Sequence, residues 1–153
     1  MRHIRFAAVA LLVAGCAKTE RAEKSATPAV PDARKLLIIL QADTDRHEGM
    51  ARALHALLYA KELKTAGHAV TLVFDGAGTG WAKLMREPKN HLHGKYKELM
   101  GLGVVEVICD FCAGAFKVRD DLKQAPGVKL DGEVEGHPSL TKWVAQGYQV
   151  IVL

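Results

Sequence analysis

The feature that most constrains this chain is an alternation. Three short apolar runs, KLLIILQ (35–41), HAVTLVFDG (68–76) and VVEVICD (104–110), are separated by segments of helical period. The first run is continuous rather than alternating, as a strand covered on both faces should be. In HEGMARALHALLYAKELKTAG (47–67), Met50, Leu54, Leu57, Leu58 and Leu63 recur at roughly helical spacing, and Gly67 stands where a C-cap belongs. A period that switches from two to 3.6 and back marks a βαβ unit. The right-handed crossover rule then gives the fold class: α/β, a single three-layer domain with a mostly parallel sheet of four or five strands and helices on both faces.

The rest of the chain fits that frame with weaker signals. A long crossover holds a short helix around Trp81 to Arg86, a break at Pro88 and a second helix around Leu92 to Met100. Glu106 is the one residue of the third run that argues against complete burial. A helical stretch from about Cys112 to Gln124 follows, then GVKLDG with room for a very short strand. Pro138 opens a helix that Gly147 closes, and YQVIVL makes the last strand. Strand order is not encoded in these patterns.

The domain is read as residues 35–153, because what precedes it has another character. Two arginines in MRHIR, the small apolar run FAAVALLVAG and then Cys16 form a lipoprotein signal peptide over residues 1–15, with Cys16 as the lipidated residue. The run is too short to span a bilayer. Residues 16–34 mix charge with Ser, Thr, Ala and two prolines and offer no apolar face, so they read as a tether. The expected location is the periplasmic face of a bacterial outer membrane, with the lipid as the only membrane contact. Most of the net charge of +4 belongs to leader and tether: from Lys35 onward there are 15 basic and 14 acidic residues. Such a balance gives no electrostatic footprint for nucleic acid, and none is expected as a partner.

Open α/β sheets hold ligands beyond the carboxyl ends of their strands. There the chain places Asp43 and Asp45, then Asp75, then Cys109, Asp110 and Cys112. Asp45 is positioned to cap the helix starting near His47; Asp43 and Asp75 serve equally as caps or as site residues. Cys112 falls in the first turn of a helix, where unpaired N–H groups lower a thiol pKa. Its thiolate can carry sulfane sulfur as a persulfide or exchange with a disulfide. In an oxidising compartment the pair is either a redox couple or a staple, and both cysteines also suit the role of small buried hydrophobes. The match to a thioredoxin-type site is weak, because Cys109 ends the strand instead of beginning the helix. No metal is expected: zinc needs four ligands, one C-x-x-C supplies two, and His47, His91, His93 and His137 complete a site only if the fold gathers them. The segment G76-A-G-T-G80 lacks both the dinucleotide and the Walker patterns and reads as a flexible lip beside Asp75, lining a cleft with Asp43 and Trp81. No cofactor is expected.

The residues 35–78, the segment VVEVICDFCAGAF and the terminal YQVIVL resemble the DsrE/DsrF-like proteins over essentially all of 35–153. The resemblance implies a five-stranded α/β domain, assembly into trimers or hexamers, and a sulfur-relay function that accepts sulfur on a cysteine after the central strand. It puts that acceptor within C109-D-F-C112, with Cys112 favoured, Cys109 resolving or tuning it, Asp110 bordering the site, and a sulfur donor or acceptor protein or small thiol as partner. Two features depart from the family's relay proteins: those are usually cytoplasmic, and the cysteine doublet can divert persulfide into a disulfide. The alternatives are a non-catalytic envelope protein that binds a small molecule and a structural lipoprotein.

Overall fold

A computed structural model describes residues 32–153. The expected signal peptide, Cys16 and the tether as far as residue 31 lie outside the described residues. The elements run β1 (Lys35–Leu40), α1 (His47–Thr65), β2 (Ala69–Phe74), a 3-10 turn (Gly76–Gly78), α2 (Thr79–Leu84), α3 (His93–Gly101) and β3 (Val105–Cys109). They continue through α4 (Asp110–Ala115), α5 (Arg119–Gln124), β4 (Leu130–Asp131), α6 (Leu140–Ala145) and β5 (Tyr148–Val152). No helix among the described residues is long and apolar enough to cross a membrane.

The five strands form one sheet in the order β4-β3-β2-β1-β5, and every pairing is parallel. That order decides how each face is covered. From β1 to β4 the chain steps in one direction across the sheet, so right-handed crossovers put α1 to α5 on one face; the return from β4 to β5 puts α6 on the other. The first face carries the main core. Ile38, Leu40, Leu72, Phe74 and Ile108 pack there against Ala53, Leu57, Trp81, Met85, Leu99 and Leu122. The second face has a small cluster of Leu37, Val73 and Val107, covered by Trp143 and Tyr148. Six residues of α6 cannot roof five strands, and Val105, Val150 and Val152 remain exposed.

Several local expectations change. Leu92, Tyr96 and Leu99 of the second crossover helix are buried in the chain's own core, with Met100 packed against it. The helical stretch expected from Cys112 to Gln124 is two six-residue helices. Lys117 adopts φ 59° between them, with Val118 N–H bonded to Ala113 O and Lys117 N–H to Gly114 O. This is the double bond pattern of a Schellman stop, with lysine at the position glycine usually takes. Glu106 is nearly buried without being orphaned: Arg86 pairs with it, and Tyr96 Oη donates to it at 2.9 Å.

Candidate functional site

Cys109 is at once the last residue of β3 and the N-cap of α4, and its Sγ accepts from Cys112 N–H at 3.4 Å. Cys109 thus ends the strand as expected, and caps the helix that follows. Sulfur occupies the place a serine or aspartate oxygen takes in most caps. Cys112 stands one turn on, and both thiols are free. Cys109 is fully buried and Cys112 is 5% exposed.

Two further side chains converge on the pair. Asp75 leaves β2 beside β3, and Cys112 Sγ donates to its Oδ1 at 3.2 Å while Gln41 Nε2 holds Oδ2 at 2.7 Å. His137 arrives from the loop after β4, with Nδ1 3.2 Å from Cys109 Sγ and 3.7 Å from Cys112 Sγ. That loop is tied down on both sides. Val134 and His137 exchange backbone bonds, and Phe111 N–H donates to Gly136 O at 3.0 Å. Gly136 sits at φ 88°, which a side chain rarely adopts, and this turn delivers the His137 ring against Phe111 with centroids 4.8 Å apart. One coordinating atom from each of Asp75, Cys109, Cys112 and His137 lies within 4.8 Å of all the others.

The electrostatics run against the expectation of a lowered thiol pKa. Burial pushes the Cys112 thiol up, and the hydrogen bond it gives Asp75 pushes in the same direction, although the contact with Cys109 opposes them. The two or three N–H groups of a six-residue helix do not overcome this. Burial likewise raises Cys109, reinforced by Cys112. Burial would raise Asp75 too, but the hydrogen bonds from Gln41 and Cys112 outweigh it and hold the carboxyl below its ordinary value. The resting state is a carboxylate facing two protonated thiols, with an imidazole in reach of both to take a proton when a reaction demands it.

Other candidates are placed elsewhere. Asp110 opens α4 but its carboxylate pairs with Arg119 at 3.0 Å, and Arg119 also donates to Asp110 O. Asp43, not Asp45, serves the start of α1, accepting from Arg46 N–H at 3.2 Å, while Asp45 receives Thr44 Oγ1. Trp81 is buried in the main core, 3% exposed, with Nε1 donating to Asp43 O. Asp43, Asp75 and Trp81 thus do not line one cleft. The glycine segment is no flexible lip either: a Cβ on Gly78 would lie 1.9 Å from Leu40 O, so glycine lets the turn pack on the end of β1. Of the other histidines, His91 contacts Met50 Sδ and His93 contacts Met85 O.

The site borders a cleft of about 370 Å³ between α6 and the second face of the sheet. Leu37, Ile39, Val73 and Trp143 line it, with Gln41, Asp75 and His137 at its polar end. A second depression, of about 250 Å³, lies where β1 and β5 end and includes Asp43, Arg46 and Arg52. It includes neither Asp75 nor His137, the two residues that reach the thiols, so the chemistry belongs to the first.

Sequence reasoning found Asp75, Cys109 and Cys112 but left His137 as one of four unplaced histidines. The signal that could have singled it out is Gly136 before it and Pro138 after it, a turn following a short strand.

The family model described as the DsrE/DsrF-like family matches residues 34–153. The chain is 33% identical over 100 residues to an uncharacterized protein of Methanocaldococcus jannaschii, covering 65% of this chain and 78% of that protein. It is similar in fold to a conserved protein of unknown function from Bacteroides thetaiotaomicron, with a TM-score of 0.55 and 18% identity over 78% of this chain and 94% of that one.

Proposed function

The chain belongs to the DsrE/DsrF-like family, and on that premise we propose that it carries sulfane sulfur or exchanges thiols, with Cys112 as the acceptor and Cys109 as the thiol that resolves or tunes it. The observation that carries this reading is the convergence of Asp75 and His137 on a reduced cysteine pair at the carboxyl ends of β2 and β3. Cys112 is the better acceptor because it is the more accessible of the two. His137 takes its proton, and the thiolate attacks the outer sulfur of a persulfide donor. The donor's inner sulfur leaves as a thiolate, and Cys112 holds the persulfide. From there the outer sulfur passes to an acceptor thiolate with Cys112 as leaving group. Alternatively, the Cys109 thiolate attacks Cys112 Sγ, forming the Cys109–Cys112 disulfide and expelling hydrosulfide.

Intact-mass spectrometry of the reduced protein in chelator, before and after a stoichiometric polysulfide donor, tests the proposal. A reducible gain of about 32 Da is expected for one sulfur, present in the parent and absent in Cys112→Ser. An equal gain in Cys112→Ser would remove Cys112 from the role.

A second reading rests on the apolar cleft, whose lining suits a small ligand with an apolar body and one polar end. Binding without chemistry would show as a ligand-dependent change in Trp143 fluorescence that survives replacement of both Cys109 and Cys112 by serine. Loss of the response with the cysteines would return the cleft to the thiol chemistry.

A further inference from the structure

We propose that Asp75, Cys109, Cys112 and His137 form a four-ligand site for a thiophilic divalent ion, best matched by Zn²⁺, at the ends of β2 and β3 and the loop after β4. The expectation of no metal rested on a C-x-x-C that supplies two ligands; the fold adds the other two. Zinc binds thiolate at about 2.3 Å and imidazole or carboxylate at about 2.0–2.2 Å, so a tetrahedral site spaces its donor atoms by about 3.3–3.8 Å. The contacts measured here are 3.2 Å from Cys109 Sγ to His137 Nδ1, 3.7 Å from Cys112 Sγ to His137 Nδ1 and 3.2 Å from Cys112 Sγ to Asp75 Oδ1. These three edges need adjustments of a few tenths of an ångström, and the other three, all within 4.8 Å, close by up to about 1 Å on binding. Two sulfurs, one imidazole nitrogen and one carboxylate oxygen are a donor set that favours zinc over the hard, oxygen-seeking cations.

The surroundings hold the ligands as metal sites require. Gln41 holds the second Asp75 oxygen, Oδ2, and Phe111 packs against the His137 ring at a tilt of 39°. The Cys112 N–H bond to Cys109 Sγ would persist on a coordinated thiolate. On binding, each thiol gives its proton to solvent and its sulfur to the ion. Four protein ligands leave no open position, so the ion would lock the loop after β4 to the sheet and occupy the Cys112 sulfur. Metal and sulfane sulfur would then compete for one thiol, and a loaded site would be closed to sulfur. This inference does not depend on the sulfur-carrier reading.

The test is a titration of the reduced, chelator-stripped full chain with Zn²⁺ against a chromophoric chelator, and with Co²⁺ as a spectroscopic substitute, with no sulfur donor present. One equivalent per chain is expected, with thiolate-to-cobalt charge-transfer bands and the intense visible bands of tetrahedral Co²⁺. The near-isosteric Asp75→Asn and the substitution His137→Ala should each weaken binding at least about tenfold and alter the visible bands, with circular dichroism confirming that both variants are folded. Failure to compete with the chelator would overturn the proposal. So would a cobalt spectrum unchanged in folded Asp75→Asn and His137→Ala, which would reduce the site to a cysteine pair. Sulfur uptake is measured separately in chelator, so either activity can fail without the other.

Discussion

At the scale of single residues, the site is governed by the competition between burial and helix geometry for the Cys112 proton. Burial and Asp75 win, so the thiol is protonated at neutral pH and becomes nucleophilic only as pH rises through its elevated pKa. In a metal-free Cys109→Ser background, alkylation of Cys112 by iodoacetamide should be slow at neutral pH and still rising above the range where a free thiol levels off. Asp75→Asn removes the negative charge that favours the protonated form, so the inflection should move to lower pH. An unshifted profile in Asp75→Asn would mean that the carboxylate does not govern this thiol. The sequence made Cys112 conspicuous through its place at a strand end, but it could not report the sign of its pKa shift. That sign comes first from how deeply the first turn of α4 sits and then from Asp75, 37 residues away.

Among the elements, legibility followed length and period. β1, α1, β2 and β3 stand within a residue or two of their expected limits, because each carries an uninterrupted pattern that packing reinforces. The α4–α5 break was hidden because its left-handed residue is Lys117, with neither glycine nor proline to announce it. His137 was hidden because a two-residue strand is too short to show a period, and that strand is what brings the loop to β3. Glu106 was readable as an anomaly but not as a solution: its partners, Arg86 and Tyr96, come from the crossover between β2 and β3. The pair is 17% and 14% exposed, so removing one partner leaves a charge with little water. Arg86→Met should cost about 3 kcal/mol in chemical denaturation, and Arg86→Met with Glu106→Leu should recover much of that loss. A double variant less stable than the single one would mean that the ion pair stabilises the fold outright.

For the whole molecule, the strand order explains why the two faces of the sheet differ. Five helices build one core, while a single short helix leaves Val105 on β3 and Val150 and Val152 on β5 exposed on the other face. The family resemblance leads us to expect a trimer or hexamer, and the exposed edge strand β5 with Val150 and Val152 is the surface we propose for it. Light scattering at micromolar concentration should report more than one chain per particle, and Val150→Lys with Val152→Lys should reduce it toward one. A parent protein that is monomeric under those conditions would exclude the assembly. The cleft that carries Asp75 and His137 opens on the same face, so a neighbouring copy would restrict which donors reach Cys112.

The central claim, that Cys112 accepts sulfur, is tested most directly by locating the added atom. The reduced protein would be treated with a polysulfide donor in chelator, alkylated and digested with trypsin. The peptide from Glu98 to Lys117 carries both thiols, and fragment ions that separate Cys109 from Cys112 identify the one holding the extra sulfur. The account predicts it on Cys112, with Cys109 unmodified or joined to Cys112 as a disulfide. Sulfur found on Cys109 alone, or on neither residue in folded and fully reduced protein, would contradict it.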